Sequence, residues 1–118
     1  MAALSALQHN FAANGVRCVV ARDLPTALLA LSQHFFTLVL INANIAEEGD
    51  GWSLGGVCRL LFPEAYIGVS TPETSVLTLQ AAINNGLNRV YDNATPPDTL
   101  VKTFLEDRRN RSLSPSVQ

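Results

Sequence analysis

Apolar residues follow two different patterns along this chain, one typical of helices and one typical of buried strands. In the segment Leu4–Phe11 they recur three or four positions apart, which predicts a helix. Asn14 and Gly15 end that helix, because both residues tolerate the left-handed conformation. Short continuous apolar runs instead predict strands covered on both faces, as in a parallel sheet. These runs lie near Arg17–Ala21 (from Val16 at the earliest), Thr37–Asn42, Tyr66–Ser70 and Arg89–Tyr91.

The segments between these runs predict helices. Asp23 is suited to cap a helix whose first turn contains Pro25. Later helices are expected over Gly51–Leu61 and after a cap at Thr71 or Thr74, with a last helix before residue 108. Alternating strands and helices indicate a parallel sheet with right-handed crossovers. The sequence therefore predicts an α/β three-layer sandwich, with about four parallel strands and helices on both faces, although the chain opens with a helix.

Length and composition favour one soluble domain. The 118 residues, 47% of them hydrophobic, suffice for a single core, which we expect over residues 1–107, with 108–118 as a flexible tail or linker. A net charge of −2 offers no general attraction to nucleic acid or to an anionic membrane. No apolar run approaches the roughly 20 residues that span a bilayer. Met1 to Ser5 lack the basic start of a signal peptide, so a cytoplasmic location is expected.

The candidate functional position is Asn42, where the apolar run Leu38–Ile41 ends. In open α/β sheets the functional side chains follow the carboxyl ends of the strands. An amide cannot act as a general base, and it lacks the charge that attracts a metal ion. Asparagine does bond to loop backbone, so a structural role is the favoured interpretation of its present function.

Other candidate chemistry is weak. Glu47, Glu48 and Asp50 form an acidic cluster, but their spacing does not match a calcium-binding loop, so we expect a solvated loop. We expect neither a cofactor nor bound magnesium. Cys18 and Cys58 lie in apolar segments and are expected to be buried thiols. No hydrolase, P-loop or dinucleotide-binding motif is present, so an enzyme is not expected.

The order of the elements resembles a CheY-like receiver domain of response regulators, without its first strand, over about Leu4 to Leu105. The Leu38–Ile41 run resembles the strand before the phosphoacceptor, and Asp50-Gly51 resembles the D-G that closes the following loop. Val69-Ser70 resembles the strand end that carries a Ser or Thr in the family. The spacing from Ala82 to Gly86 resembles the segment that leads to the family's Lys-Pro.

The resemblance implies a receiver that has lost its chemistry. The phosphoacceptor Asp corresponds to Asn42, the family's Lys to Asn93 and its following Pro to Ala94, while Ser70 keeps the expected type. The acidic pair that helps to bind magnesium belongs to the missing strand. A non-catalytic regulatory and interaction module, or pseudo-receiver, is the preferred hypothesis. The alternatives are an active phosphoacceptor receiver and an unrelated flavodoxin-like ligand-binding domain.

The resemblance also implies partners and a partner surface. A histidine kinase, an output domain or a second copy of the chain are the candidates. Because the missing strand would lie between them, Val16–Ala21 is expected to pair with Leu38–Ile41 or to take a strand from a second molecule. A homodimer is therefore expected, through that gap or through the family's usual partner face. That face contains Arg89, Tyr91, Asp92, Lys102 and Asp107.

Overall fold

The structure is a computed structural model that describes residues 2–45 and 50–113. Glu47 and Glu48, predicted to lie in a solvated loop, are outside the described residues. The described elements are α1 (Ala2–Ala13), α2 (Leu24–Gln33), β1 (Leu38–Asn42), α3 (Asp50–Leu61), β2 (Tyr66–Thr71), α4 (Val76–Asn84), β3 (Arg89–Asp92) and α5 (Pro97–Leu113).

The three described strands form a parallel sheet in the order β1-β2-β3. The central strand β2 is buried along nearly its whole length, as expected for a strand covered on both faces. By contrast β1, which the sequence predicted to be covered in the same way, is half-buried over Leu38–Leu40 because it lies at an edge. Leu38 is in register with Tyr66, and Asn42 is in register with Ser70.

The strand predicted at Val16–Ala21 is not formed, so the prediction of about four strands is corrected to three within the described residues. The segment does not pair with Leu38–Ile41, so the first of its two predicted arrangements is wrong, while pairing with a strand of a second molecule stays a prediction. Arg17 and Val19 are exposed while Val16 is half-buried, a strand-like alternation without strand pairing. An apolar run becomes a strand only where a neighbouring edge accepts its backbone hydrogen bonds.

The chain divides into two compact units, of which one contains residues 1–18 and 95–118 and the other contains residues 19–94. In the first unit α1 packs on α5. The rings of Phe11 and Phe104 meet edge to face, with centroids 5.9 Å apart. Helix α5 continues to Leu113, beyond the domain end expected at residue 107.

The core of the 19–94 unit lies where α3 meets β1 and β2. Phe62, directly after α3, packs in T-shaped geometry with the rings of Phe35 and Phe36 at centroid distances of 5.5 and 5.8 Å. Trp52 packs partly buried against this core, which makes its fluorescence a probe of folding. The fully buried members of the core are Ile41, Ala43, Leu54, Cys58, Phe62, Ala65, Ile67 and Val69.

Two helix starts show how local sequence sets the elements. Asp23 caps α2 as predicted, since its carboxylate accepts the Thr26 N–H at 2.8 Å. Hydrogen bonding from the side chain of Thr26, and then from its backbone N–H, holds the pKa of Asp23 below its usual range. The cap of α4 is Ser75 and not the predicted Thr71 or Thr74. Ser75 and Thr78 form a capping box, in which the side-chain oxygen of each residue accepts the backbone N–H of the other.

Helix α4 presents an apolar surface that periodicity alone would assign to the core. Ala82 is its one buried residue among those described. Val76, Leu77, Leu79 and Ile83 are all more than half exposed. Isolated exposed apolar residues are common on proteins, but four on a nine-residue helix are typical of a contact surface.

Candidate functional site

The candidate site lies at the carboxyl ends of the strands. Because the strands are parallel, their ends meet at one edge of the sheet. Asn42 at the end of β1 is level with Ser70 on β2, and Thr71 on β2 is level with Asp92 on β3. Asn93 follows directly, and its backbone N–H donates to the Thr71 carbonyl oxygen at 3.0 Å. The structure therefore brings the predicted positions 42, 70 and 93 to the same edge.

The last residue of each strand turns the chain with its own side chain. Asn42 Oδ1 accepts the N–H of the residue two positions on, Asn44, at 2.9 Å. Asp92 Oδ1 does the same for Ala94 at 2.8 Å. Thr71 Oγ1 receives the Glu73 N–H more weakly, at 3.4 Å. Because side chains of this kind mimic a backbone turn, all three strand ends are closed by the same local device.

The Asn42 side chain therefore performs the structural role expected for an amide at a strand end. Its oxygen is engaged at the point where the chain leaves β1, and the side chain as a whole is exposed. An aspartate carboxylate would accept the same bond, so the turn does not by itself require asparagine. The turn explains why a residue with a short side-chain carbonyl stands at this position.

Gly51 fixes the approach of α3 to the end of β1. Its N–H donates to the Ala43 carbonyl oxygen at 2.7 Å. A Cβ at position 51 would overlap the Asn42 carbonyl oxygen, and it would lie 2.6 Å from Ala43 Cα. All the obstructing atoms belong to the backbone and cannot rotate away. The predicted Asp50-Gly51 pair thus has a structural basis: Asp50 opens α3, where a negative charge is favourable, and only glycine fits at the next position.

The charged groups that metal binding or phosphate binding would use are sparse at this edge. Within residues 2–45 and 50–113, no group of three or more His, Cys, Asp or Glu side chains is placed to hold a metal ion. Asn93 is exposed and neutral. The chain has one lysine, Lys102, which lies on α5 and not at a strand end. Ser70 is half-buried, and its carbonyl oxygen accepts the Ala43 N–H at 2.8 Å.

Neither thiol is suited to act as a nucleophile at neutral pH. Burial raises the pKa of Cys58 to about 11, although the nearby Arg59 charge opposes the shift. Burial also raises the pKa of Cys18 above its usual value. The thiolate is the reactive form, so burial slows reaction at both thiols, most strongly at the buried Cys58.

The predicted partner-face residues differ in their exposure. Arg89 and Asp92 are exposed on the 19–94 unit, and Lys102 is exposed on α5. Tyr91, however, is only 7% exposed, with its hydroxyl oxygen 3.4 Å from that of Tyr66. A residue on β3 that points into the protein interior is not available to a partner, so Tyr91 is removed from the face. Asp107 is half-buried on α5, and its membership of the face stays a prediction.

A set of hydrogen bonds made by the Arg59 guanidinium, which we call the polar clamp, was not predicted from the sequence. The Arg59 guanidinium donates to the carbonyl oxygens of Gly86, Pro63 and Ala65, each at 2.8 Å. It also donates to Asn88 Oδ1 at 2.7 Å, and this oxygen accepts the Ile67 N–H as well. The clamp ties the end of α3 to the turn before β3. Gly86 and Asn88 lie 27 and 29 residues after Arg59, and no local sequence pattern signals such a pairing.

Comparison with known proteins gives a consistent structural result. No family model matches the chain, and no curated protein matches it. Among solved structures, the chemotaxis protein CheY4 of Vibrio cholerae has a TM-score of 0.79 and 20% identity, covering 90% of this chain and 89% of that chain. A two-component response regulator from Clostridium difficile has a TM-score of 0.78 and 19% identity, covering 93% of this chain and 88% of that chain.

A third structure adds chemical information about a similar protein. It is a response regulator from Burkholderia pseudomallei with a phosphorylated aspartic acid, a calcium ion and citrate, with a TM-score of 0.74 and 19% identity. The match covers 96% of this chain and 68% of that chain. Within the described residues of our chain, no helix has the length and hydropathy to cross a membrane. At these identities the agreement concerns the fold: the chain has the CheY-like α/β fold of response-regulator receiver domains.

Proposed function

We propose that this protein is a non-catalytic, receiver-like regulatory module that acts by binding protein partners in a two-component-type signalling system. The observation that carries the proposal is Asn42, which stands at the end of β1 where the resemblance places the phosphoacceptor. Its amide is uncharged, and its oxygen is already engaged with the Asn44 N–H at 2.9 Å. A module of this kind would regulate through its surfaces and not through a covalent phosphate.

The chemistry of phosphoryl transfer supports this proposal. The reaction needs a carboxylate to attack, a divalent cation to neutralise charge and a cationic side chain to hold the phosphoryl oxygens. Asn42 cannot replace the carboxylate, because a neutral amide is a poor nucleophile. Asn93 cannot replace the lysine, and Lys102 is the one lysine in the chain. Because the carboxylate and the lysine are both replaced, a single reversion would not restore the reaction.

Interaction surfaces support the regulatory part of the proposal. Helix α4 has an exposed apolar surface, and the neighbouring strand β3 exposes Arg89 and Asp92. A histidine kinase, an output domain or a second copy of this chain are the partner classes that the resemblance implies. We propose that these contacts take place in the cytoplasm, without a cofactor, a membrane or nucleic acid.

The test is exposure to a small phosphodonor. The wild-type chain is incubated with acetyl phosphate and magnesium, and separately with beryllofluoride and magnesium. We expect no phosphoryl adduct by intact mass spectrometry and no change in Trp52 fluorescence. The matched variant Asn42→Asp should also remain unmodified, because Asn93 would still stand where the resemblance places the lysine. A known active receiver serves as the positive control for the reagents.

The opposite result would support the active phosphoacceptor. A stoichiometric adduct on the wild-type chain, removed by hydroxylamine as an acyl phosphate is, would overturn the proposal. Phosphorylation of Asn42→Asp but not of the wild type would contradict the expectation that a single reversion does not restore the reaction. The remaining groups would then suffice for phosphoryl transfer.

A further inference from the structure

One edge of β1 is unpaired within residues 2–45 and 50–113. On the β2 side, the Thr37 carbonyl oxygen accepts the Tyr66 N–H at 2.9 Å, and the Ala43 N–H donates to the Ser70 carbonyl oxygen at 2.8 Å. In a strand, the backbone groups of alternate residues point to the same neighbour. Odd-numbered residues therefore face β2, and the N–H and C=O groups of Leu38 and Leu40 face the opposite side, which we call the β1 edge.

The β1 edge lacks three of the features that usually prevent association. Native proteins protect an edge strand with a charged residue, a proline or a bulge. The strand Leu38–Asn42 contains neither charge nor proline, and its pairing with β2 runs residue for residue without a bulge. Its apolar residues Leu38–Leu40 are only half-buried. Both the backbone and the side chains of this edge are therefore suited to strand addition.

We propose that two copies of this chain associate by pairing their β1 edges, antiparallel, about a two-fold axis at Leu40. Two identical strands related by such an axis must run in opposite directions. Leu40 then lies opposite its counterpart, and because its N–H and C=O both face outward, the two residues exchange both hydrogen bonds. Leu38 lies opposite Asn42 of the second copy. The result is one continuous six-stranded sheet.

A second copy suits this edge because the strand is self-complementary. The outward-facing positions 38, 40 and 42 are symmetric about Leu40, so the axis places each outward-facing position opposite another. All five residues of β1 are uncharged, so two identical strands meet without like-charge repulsion. The association should accordingly be insensitive to salt, unlike one mediated by exposed ion pairs. The proposal concerns the sheet edge and does not depend on whether the chain can be phosphorylated.

The first test removes one outward hydrogen-bond donor. Leu40→Pro lacks the N–H that faces the β1 edge but leaves the ladder to β2 intact, because that ladder uses odd-numbered residues. The control Leu40→Ala shortens the side chain and keeps the donor. By sedimentation velocity we expect the wild type to be a dimer at low and high salt and Leu40→Ala to remain a dimer. The dissociation constant of the Leu40→Pro dimer should be about tenfold or more above that of the wild type. Circular dichroism confirms that each variant is folded.

The second test locates the axis and does not rely on proline. In a Cys18→Ser, Cys58→Ala background, Leu40→Cys places two thiols across the axis at a Cα separation of about 5.5 Å, within disulfide range. Leu38→Cys places them about 13 Å apart along the strands. We expect oxidative cross-linking at position 40 and none at position 38.

Three outcomes would overturn the proposal. The first is a wild-type chain that is monomeric at every concentration and salt, which would mean that the chain covers its own edge. The second is cross-linking at position 38 but not at 40. The third is a dimer that survives Leu40→Pro but is lost in the α4 variant Ile83→Lys, which would assign the interface to the apolar surface of α4.

Discussion

The segments Val16–Ala21 and Leu38–Asn42 are both short, rich in apolar residues and bounded by polar ones, yet only the second is a strand. Leu38–Asn42 pairs along its length with β2 and supports α3. Val16–Ala21 has no strand partner, and the boundary between the two compact units passes between Cys18 and Val19.

The difference shows that apolar composition is insufficient for a strand. Hydrogen bonds to a neighbour must satisfy the backbone groups that burial removes from water, or the segment stays irregular. For Leu38–Asn42 that neighbour is β2, which is itself held by β3 and by the Arg59–Asn88 clamp. Four pairs of measurements test this contrast.

The largest effect should come from truncating one apolar residue in each segment. Ile41 is 5% exposed and Val19 is 51% exposed. Ile41→Ala should lower the free energy of unfolding by about 3 kcal/mol, through lost burial and a cavity. Val19→Ala should change it by about 0.5 kcal/mol or less. Urea unfolding followed by Trp52 fluorescence measures both, and equal losses would mean that Val16–Ala21 is packed as firmly as β1.

The next effect concerns the connection from β1 to α3. Gly51→Ala forces a methyl group into the backbone of Asn42 and Ala43, so it should cost about 2 kcal/mol or more. The control is Gly56→Ala, where the added Cβ meets only side-chain atoms of Asn85, which can move aside, and where alanine favours the helix. Thermal unfolding of both variants is the measurement. A Gly56→Ala loss as large as that of Gly51→Ala would contradict the role of backbone overlap.

A smaller effect should follow from changing the turn that ends β1. Asn42→Ala removes the acceptor for the Asn44 N–H and should cost about 1 kcal/mol. Asn42→Asp keeps the acceptor and should be close to neutral at pH 7. Chemical denaturation compares the two variants with the wild type. If Asn42→Asp proved as destabilised as Asn42→Ala, the amide nitrogen, and not the oxygen, would be the group that matters.

The last comparison leaves stability unchanged and uses the cysteines as reporters. Cys18 is in the unpaired segment and half-buried, whereas Cys58 is in the core with a pKa of about 11. Cys58 stays protonated until the pH approaches that value, so a thiol reagent at pH 8 should label Cys18 first. Cys58 should react only when urea unfolds the chain. Labelling at equal rates in the native protein would contradict the packing difference between the two regions.

The sequence determined much of this protein by itself. The alternation of helices and strands, the Asp23 cap and the turn at Gly15, whose φ is +78°, are local properties that single residues enforce. The same holds for the strand end at Asn42, whose side chain bonds to the residue two positions on. These features could be predicted because the responsible groups lie within a few residues of one another.

Which apolar segments are paired, buried or exposed depends on contacts between residues that are distant in the sequence. The sequence predicts a strand at Val16–Ala21 and places Tyr91 on a partner surface. It predicts a helix at α4 but not the exposure of its apolar side chains. Each outcome depends on backbone and side-chain groups that are distant in the sequence, as in the contact of Tyr91 with Tyr66. A local pattern specifies the conformation that a segment prefers, whereas hydrogen bonding and burial depend on the neighbours that the fold supplies.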